Sequence, residues 1–121
     1  MRKRVLIADD NAYIRQAVRQ LLESAEFDVC AEVENGAEAI ELSESLRPDL
    51  IVLDLAMPVM NGLEAAPLIR KKLPAVPILL FTLYADLGLE KTATAAGVTL
   101  VLAKADAPER LIQTARALVQ S

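Results

Sequence analysis

Two hydrophobic rhythms alternate along the chain. The first is the near-continuous apolar run: residues 5–8, 50–55, 77–83 and 98–103 are mostly Val, Ile, Leu, Ala and Phe. Such runs predict strands buried on both faces, as in a parallel sheet covered by helices above and below. The run 28–34 differs. There Val29, Ala31 and Val33 alternate with Asp28, Cys30, Glu32 and Glu34, which predicts an edge strand with one wet face.

The second rhythm is helical. Ile14, Ala17, Val18, Leu21, Leu22 and Ala25 recur at spacings that share one helix face, with Arg15, Arg19 and Glu23 on the other. Segments 37–46, 63–73, 87–96 and 108–119 are the other predicted helices, separated by Asn35-Gly36, Arg47-Pro48-Asp49 and residues 74–77. Pro67 falls inside the third helix, where its ring removes a hydrogen bond and clashes with the preceding turn; a late start or a kink is expected. Strand then helix, repeated five times, predicts an α/β fold: a three-layer (βα)5 sandwich around a parallel five-stranded sheet. The pattern leaves the strand order open between a flavodoxin-like 2-1-3-4-5 and part of a Rossmann sheet.

The 121 residues fit one domain over 1–121, and a hydrophobic content of 54% is ample for a core. No apolar run is long enough to span a bilayer. Met1-Arg2-Lys3-Arg4 leads into a short run that stops at Asp9-Asp10, so no signal peptide is expected. Cys30 alone cannot form an internal disulfide, which points to a reducing cytoplasm. The net charge of −4 disfavours direct nucleic-acid contact by this domain. The absence of histidine excludes a Ser-His-Asp triad, a Cys-His dyad, a His metal site and a phosphohistidine carrier.

Open α/β sheets bind ligands beyond the carboxyl ends of their strands. Here the first strand ends in Asp9-Asp10, the third near Asp54, the fourth at Thr82 and the fifth at Lys104. Each has an ordinary structural account: Asp9 or Asp10 as a helix cap, Asp54 as a turn residue, Thr82 as a β-former, Lys104 as a surface charge. One reactive group at each of four strand ends is harder to assign to accident. Clustered carboxylates repel one another unless a cation joins them. Oxygen ligands without His or Cys suit Mg²⁺ before Zn²⁺. A carboxylate beside a metal can attack phosphorus to give an aspartyl phosphate. The transferred group then needs a cation and a hydrogen-bond donor, roles open to Lys104 and Thr82.

With Met57-Pro58 and Asn61-Gly62, this set resembles the receiver domain of two-component response regulators over essentially the whole chain. The resemblance implies the 2-1-3-4-5 order that chemotaxis receivers exemplify. It implies Asp54 as phosphoacceptor and Mg²⁺ held by Asp10, Asp54 and the backbone carbonyl of Ala56, with Asp9 acting through a metal-bound water. Pro58 and Gly62 would shape the intervening loop, Gly62 by tolerating unusual dihedrals. Thr82 would move toward the phosphoryl group and reshape the face made by the fourth helix, fifth strand and fifth helix. The donor would be a phosphohistidine on a sensor histidine kinase or phosphotransfer protein. The output would be a further domain or a partner, and a homodimer through the same face is compatible. The chain would be regulatory, promoting only its own phosphoryl uptake and hydrolysis.

Three positions depart from the pattern. Val101 stands where an aromatic switch residue is usual, with Tyr84 as a candidate substitute. Leu83 stands where a small residue is usual and is expected to hinder access to the site. Ala105 replaces a proline often linked to a cis peptide, so a trans Lys104–Ala105 bond is expected. An aspartate-nucleophile, Mg²⁺-dependent phosphatase of the haloacid-dehalogenase type would carry Asp-x-Asp on its first strand and a cap domain. A nucleotide-binding Rossmann domain would need glycines where Ala8-Asp9-Asp10-Asn11-Ala12 stands. A degenerate receiver acting only by protein contact would not need the intact acidic set.

Overall fold

The computed structural model describes residues 2–120. Five strands, β1 (Arg4–Ala8), β2 (Asp28–Val33), β3 (Leu50–Leu53), β4 (Ile78–Thr82) and β5 (Leu100–Ala103), alternate with five helices. The helices are α1 (Ala12–Ser24), α2 (Gly36–Leu46), α3 (Gly62–Lys72), α4 (Leu87–Ala95) and α5 (Glu109–Val119). A 3-10 turn, Lys104–Asp106, follows β5. The strands form one parallel sheet in the order β2-β1-β3-β4-β5. This resolves the open choice in favour of the flavodoxin-like arrangement.

Alternate residues of the central strands feed two cores. Leu6, Ile51, Leu53, Ile78 and Leu80 pack with Ala39 of α2, Ala65 and Ile69 of α3 and Ala93 of α4. Val5, Ile7, Val52, Leu79 and Phe81 pack with Val18 and Leu22 of α1 and Leu111 and Ala115 of α5. β1, β3 and β4 are buried on both faces, which is why their sequences are apolar without alternation. Each fully buried Leu or Ile contributes about 1.5–3 kcal/mol relative to exposure.

Two expectations are corrected. β2 does lie at the edge, but its alternation is broken. Val5 pairs with Val29 and Leu6 with Ala31, so Cys30 is an extra, bulged residue. Val29 therefore joins the α1/α5 core, while Ala31 and Val33 face the other. Partial burial raises the pKa of the Cys30 thiol. The second correction concerns Pro67. The late start does not occur: α3 starts at Gly62 and continues through Pro67 to Lys72. Its start is fixed by a capping box: Asn61 Oδ1 accepts from Glu64 N at 2.8 Å and Glu64 Oε1 accepts from Asn61 N at 3.0 Å. Pro67 lies on the exposed side, where water can satisfy a carbonyl that loses its helical donor.

Candidate functional site

Backbone pairing continues one residue past the strand ends and sets two carboxylates side by side. Asp9 N donates to Val33 O at 3.0 Å and Asp54 N donates to Ala8 O at 2.9 Å. Asp9 and Asp54 are buried. Lys104, at the start of the 3-10 turn, places Nζ 2.7 Å from Asp9 Oδ2 and 3.3 Å from Asp54 Oδ2. Asp10 is exposed, and carboxylate oxygens of Asp9, Asp10 and Asp54 lie within 4.8 Å of one another. Neither Asp9 nor Asp10 caps α1. Asn11 does so, its Oδ1 accepting from Tyr13 N and Ile14 N, while Asp9 Oδ1 accepts from Asn11 N at 2.9 Å. The acidic pair is thus released from the capping role.

Burial first, then the neighbouring charge of Asp9, pushes the Asp54 carboxyl above its ordinary range; Lys104 pulls the other way. A raised folded pKa means that the folded protein holds this proton where the unfolded chain has lost it. Stability from this group therefore falls as pH rises from the ordinary Asp range through the raised value. In divalent-free buffer at neutral pH, Asp54→Asn is expected to stabilise the protein by about 1 kcal/mol, a rise of a few degrees in Tm. Thermal melts should show this gain shrinking as pH falls through the ordinary Asp value of about 3.9, and gone near about pH 3, where Asp54 is largely protonated in both states.

The loop after β3 builds the other wall. Asp10, Ala56, Met57, Pro58 and Asn61 line one open cleft, so Ala56 stands on the same cleft as the exposed carboxylate. Gly62 N donates to Leu55 O at 3.0 Å. A Cβ on Gly62 would lie 2.3 Å from Asp54 O. Gly62 is helical, so it serves by allowing close approach and not by an unusual dihedral. The left-handed residue of this loop is Val59, at φ 67, in a tight turn where Met60 N donates to Pro58 O at 2.7 Å. A β-branched residue is strained there, and the Val59 side chain is exposed. Val59→Asn is expected to stabilise the protein by about 1 kcal/mol, checked by urea denaturation.

Thr82 is fully buried at the end of β4, and its Oγ1 accepts from Tyr84 N at 3.2 Å. It makes no hydrogen bond to the acidic cluster. Leu83 and Tyr84 are exposed, and Val101 is partly buried against the α2–α4 core. Leu83 borders an apolar groove with Ile14, Leu21, Phe81 and Lys104. The Lys104–Ala105 peptide is trans; the cis peptide among the described residues is Ala107–Pro108.

A family model, the response regulator receiver domain, matches residues 5–116. The chain belongs to this family. Chemotaxis protein CheY of Thermotoga maritima is 34% identical to this receiver over 113 residues, covering 93% of this chain and 94% of that protein. A two-component response regulator of the LuxR family from Aurantimonas sp. SI85-9A1 superposes with a TM-score of 0.93 at 31% identity, over 98% of the receiver and 86% of that chain. A protein-glutamate methylesterase/protein-glutamine glutaminase of Pyrococcus abyssi is 42% identical over 90 residues, 74% of this chain. The receiver spans only 24% of that relative's length, and the match fits a regulatory module.

The structure thus brings Asp9, Asp10, Asp54 and Lys104 of the receiver together, with Thr82 at the end of β4, the strand between those that lead to Asp54 and Lys104. Sequence reasoning missed Arg15, which it placed on the outer face of α1. Its Nη1 donates to the Asp9 carbonyl at 2.7 Å. Helical periodicity shows which face a residue occupies, but not that a long side chain turns back over the helix start.

Proposed function

We propose that this receiver is a phosphorylatable signalling switch in which Asp54 accepts a phosphoryl group from a phosphohistidine of a sensor histidine kinase or phosphotransfer protein. The observation that carries the reading is the charge balance of the cluster. Three carboxylates meet one ammonium, leaving two negative charges for a divalent, oxygen-preferring cation. Asp10, Asp54 and the Ala56 carbonyl would hold Mg²⁺, with Asp9 acting through a water. When bound, Mg²⁺ would offset charge on the phosphoryl oxygens.

An Asp54 carboxylate oxygen attacks phosphorus; the new P–O bond forms as the P–N bond to the donor histidine breaks. The bonding pair leaves with the imidazole nitrogen, which takes up a proton. Lys104 already contacts the Asp54 carboxylate and stabilises the charge passing through it. The Thr82 hydroxyl accepts from Tyr84 N but keeps its own proton for donation to the phosphoryl group. Leu83, beside Lys104, narrows the approach of donor and of hydrolytic water.

The output is a protein contact by the face of α4, β5 and α5, to a further domain, a partner or a second copy. Leu87 and Leu100 are exposed apolar residues on these elements. The acidic net charge supports no direct nucleic-acid contact, and among the described residues no helix is long and apolar enough to cross a membrane. The switch operates in the cytoplasm. Incubation with acetyl phosphate, followed by intact mass, tests the reading. The expected result is a Mg²⁺-dependent gain of one phosphoryl group that Asp54→Asn abolishes. An equal gain without Mg²⁺, or in Asp54→Asn, would overturn it.

A further inference from the structure

Arg15 turns one basic side chain of α1 toward the acidic cluster. Its side chain is mostly buried. Nε stands 3.7 Å from Glu32 Oε1, and Nη2 stands 3.7 Å from Glu34 Oε1. Both are ion-pair distances beyond hydrogen-bond reach, and the buried Nε makes no hydrogen bond. Glu32 is itself held by Arg19 Nη1 at 2.5 Å. The acidic edge of β2 therefore aims the guanidinium, but its one direct hydrogen bond among the described residues goes to the Asp9 carbonyl.

That carbonyl belongs to the Asp9–Asp10 peptide. Because the peptide is planar, fixing its oxygen also fixes the N–Cα direction of Asp10. The Asp9 side of this unit is held elsewhere too: N–H by Val33 O, Oδ1 by Asn11 N and Oδ2 by Lys104 Nζ. The Asp10 carboxylate has no hydrogen-bond or ion-pair partner among the described residues, so its aim depends on the backbone that carries it. We infer that Arg15 is a positioning residue for the divalent-cation site: by holding the Asp9–Asp10 peptide plane it presents the Asp10 carboxylate to the metal. This rests on the Mg²⁺ reading of the cluster given above.

Charge and positioning predict opposite signs. A guanidinium near a cation site repels the cation, so if charge alone mattered, its removal would tighten Mg²⁺ binding. Loss of a positioning contact weakens it, about tenfold for partners behind a metal ligand. The test is a Mg²⁺ titration of the full chain at fixed ionic strength, followed by backbone-amide NMR shifts, on wild type, Asp10→Asn, Arg15→Gln and Arg15→Lys. Thermal melts report folding. Arg15→Gln should bind about tenfold more weakly, and Arg15→Lys, which keeps the charge but not the fork, should fall between. Arg15→Gln binding as tightly as wild type, or more tightly, overturns the inference. If that variant fails to fold, unchanged affinity in Arg15→Lys overturns it equally. Wild type that shows no Mg²⁺ response that Asp10→Asn removes overturns the metal reading and the inference with it. Binding that is lost in Asp10→Asn but unchanged in Arg15→Gln overturns the positioning role alone.

Discussion

Gly62→Ala should cost about 3 kcal/mol, a heavy penalty for one added methyl group. The new Cβ would stand 2.3 Å from Asp54 O, 3.1 Å from Asp54 C and 3.0 Å from Leu80 Cδ1. Two of these are backbone atoms at a strand end already paired through Asp54 N to β1, so neither can yield by a rotamer change. Either the start of α3 moves out, breaking the bond from Gly62 N to Leu55 O, or the Asp54 backbone shifts. The second response carries the carboxylate away from Lys104. Urea denaturation should show the loss, and uptake from acetyl phosphate should fall by about tenfold or more. A loss under about 1 kcal/mol would show that the loop yields easily.

Arg70→Met is expected to cost about as much, by a different route. Arg70 gives Nε and Nη2 to Gly97 O at 3.2 and 2.7 Å, and Nη1 to Leu73, Pro74 and Val76 O at 3.3, 3.2 and 2.5 Å. It has no carboxylate partner among the described residues, and burial lowers its pKa. The carbonyls at the end of α3, before β4 and after α4 thus share one cation. Truncation leaves four acceptors without that donor, about 3 kcal/mol in total. Hydrogen exchange should localise the effect: amides of residues 73–78 and 97–99 should lose protection before those of β1 and β3. Uniform loss across the sheet would contradict this assignment.

The elements are legible because each obeys its own period. The central strands read as apolar runs since both faces are covered, and the site reads as a set of strand ends since parallel strands bring their carboxyl ends to one rim. Strand order is not in the pattern; it comes from the resemblance of Asp9-Asp10, Asp54, Thr82 and Lys104 to receivers. The Cys30 bulge stays hidden because a small, half-apolar residue satisfies either face. Pro67 misleads because a helix already fixed at its start by a capping box can continue through one proline, and that tolerance is not written in the residue type. Asn11, not the acidic pair, carries the cap, and only atomic positions show which of three adjacent polar residues reaches the helix amides. Gly62 reads in sequence as a conformational glycine, whereas the space it leaves is filled by the backbone of Asp54, distant in neither sequence nor function.

The most direct test of Asp54 as phosphoacceptor is to locate the phosphoryl group chemically. Borohydride reduces an acyl phosphate but not a carboxylate, so it converts a phosphorylated aspartate to homoserine. After acetyl phosphate and Mg²⁺, reduction and peptide mass spectrometry should find homoserine at position 54 and at no other aspartate. Homoserine at position 9 or 10, or none anywhere, would contradict the account.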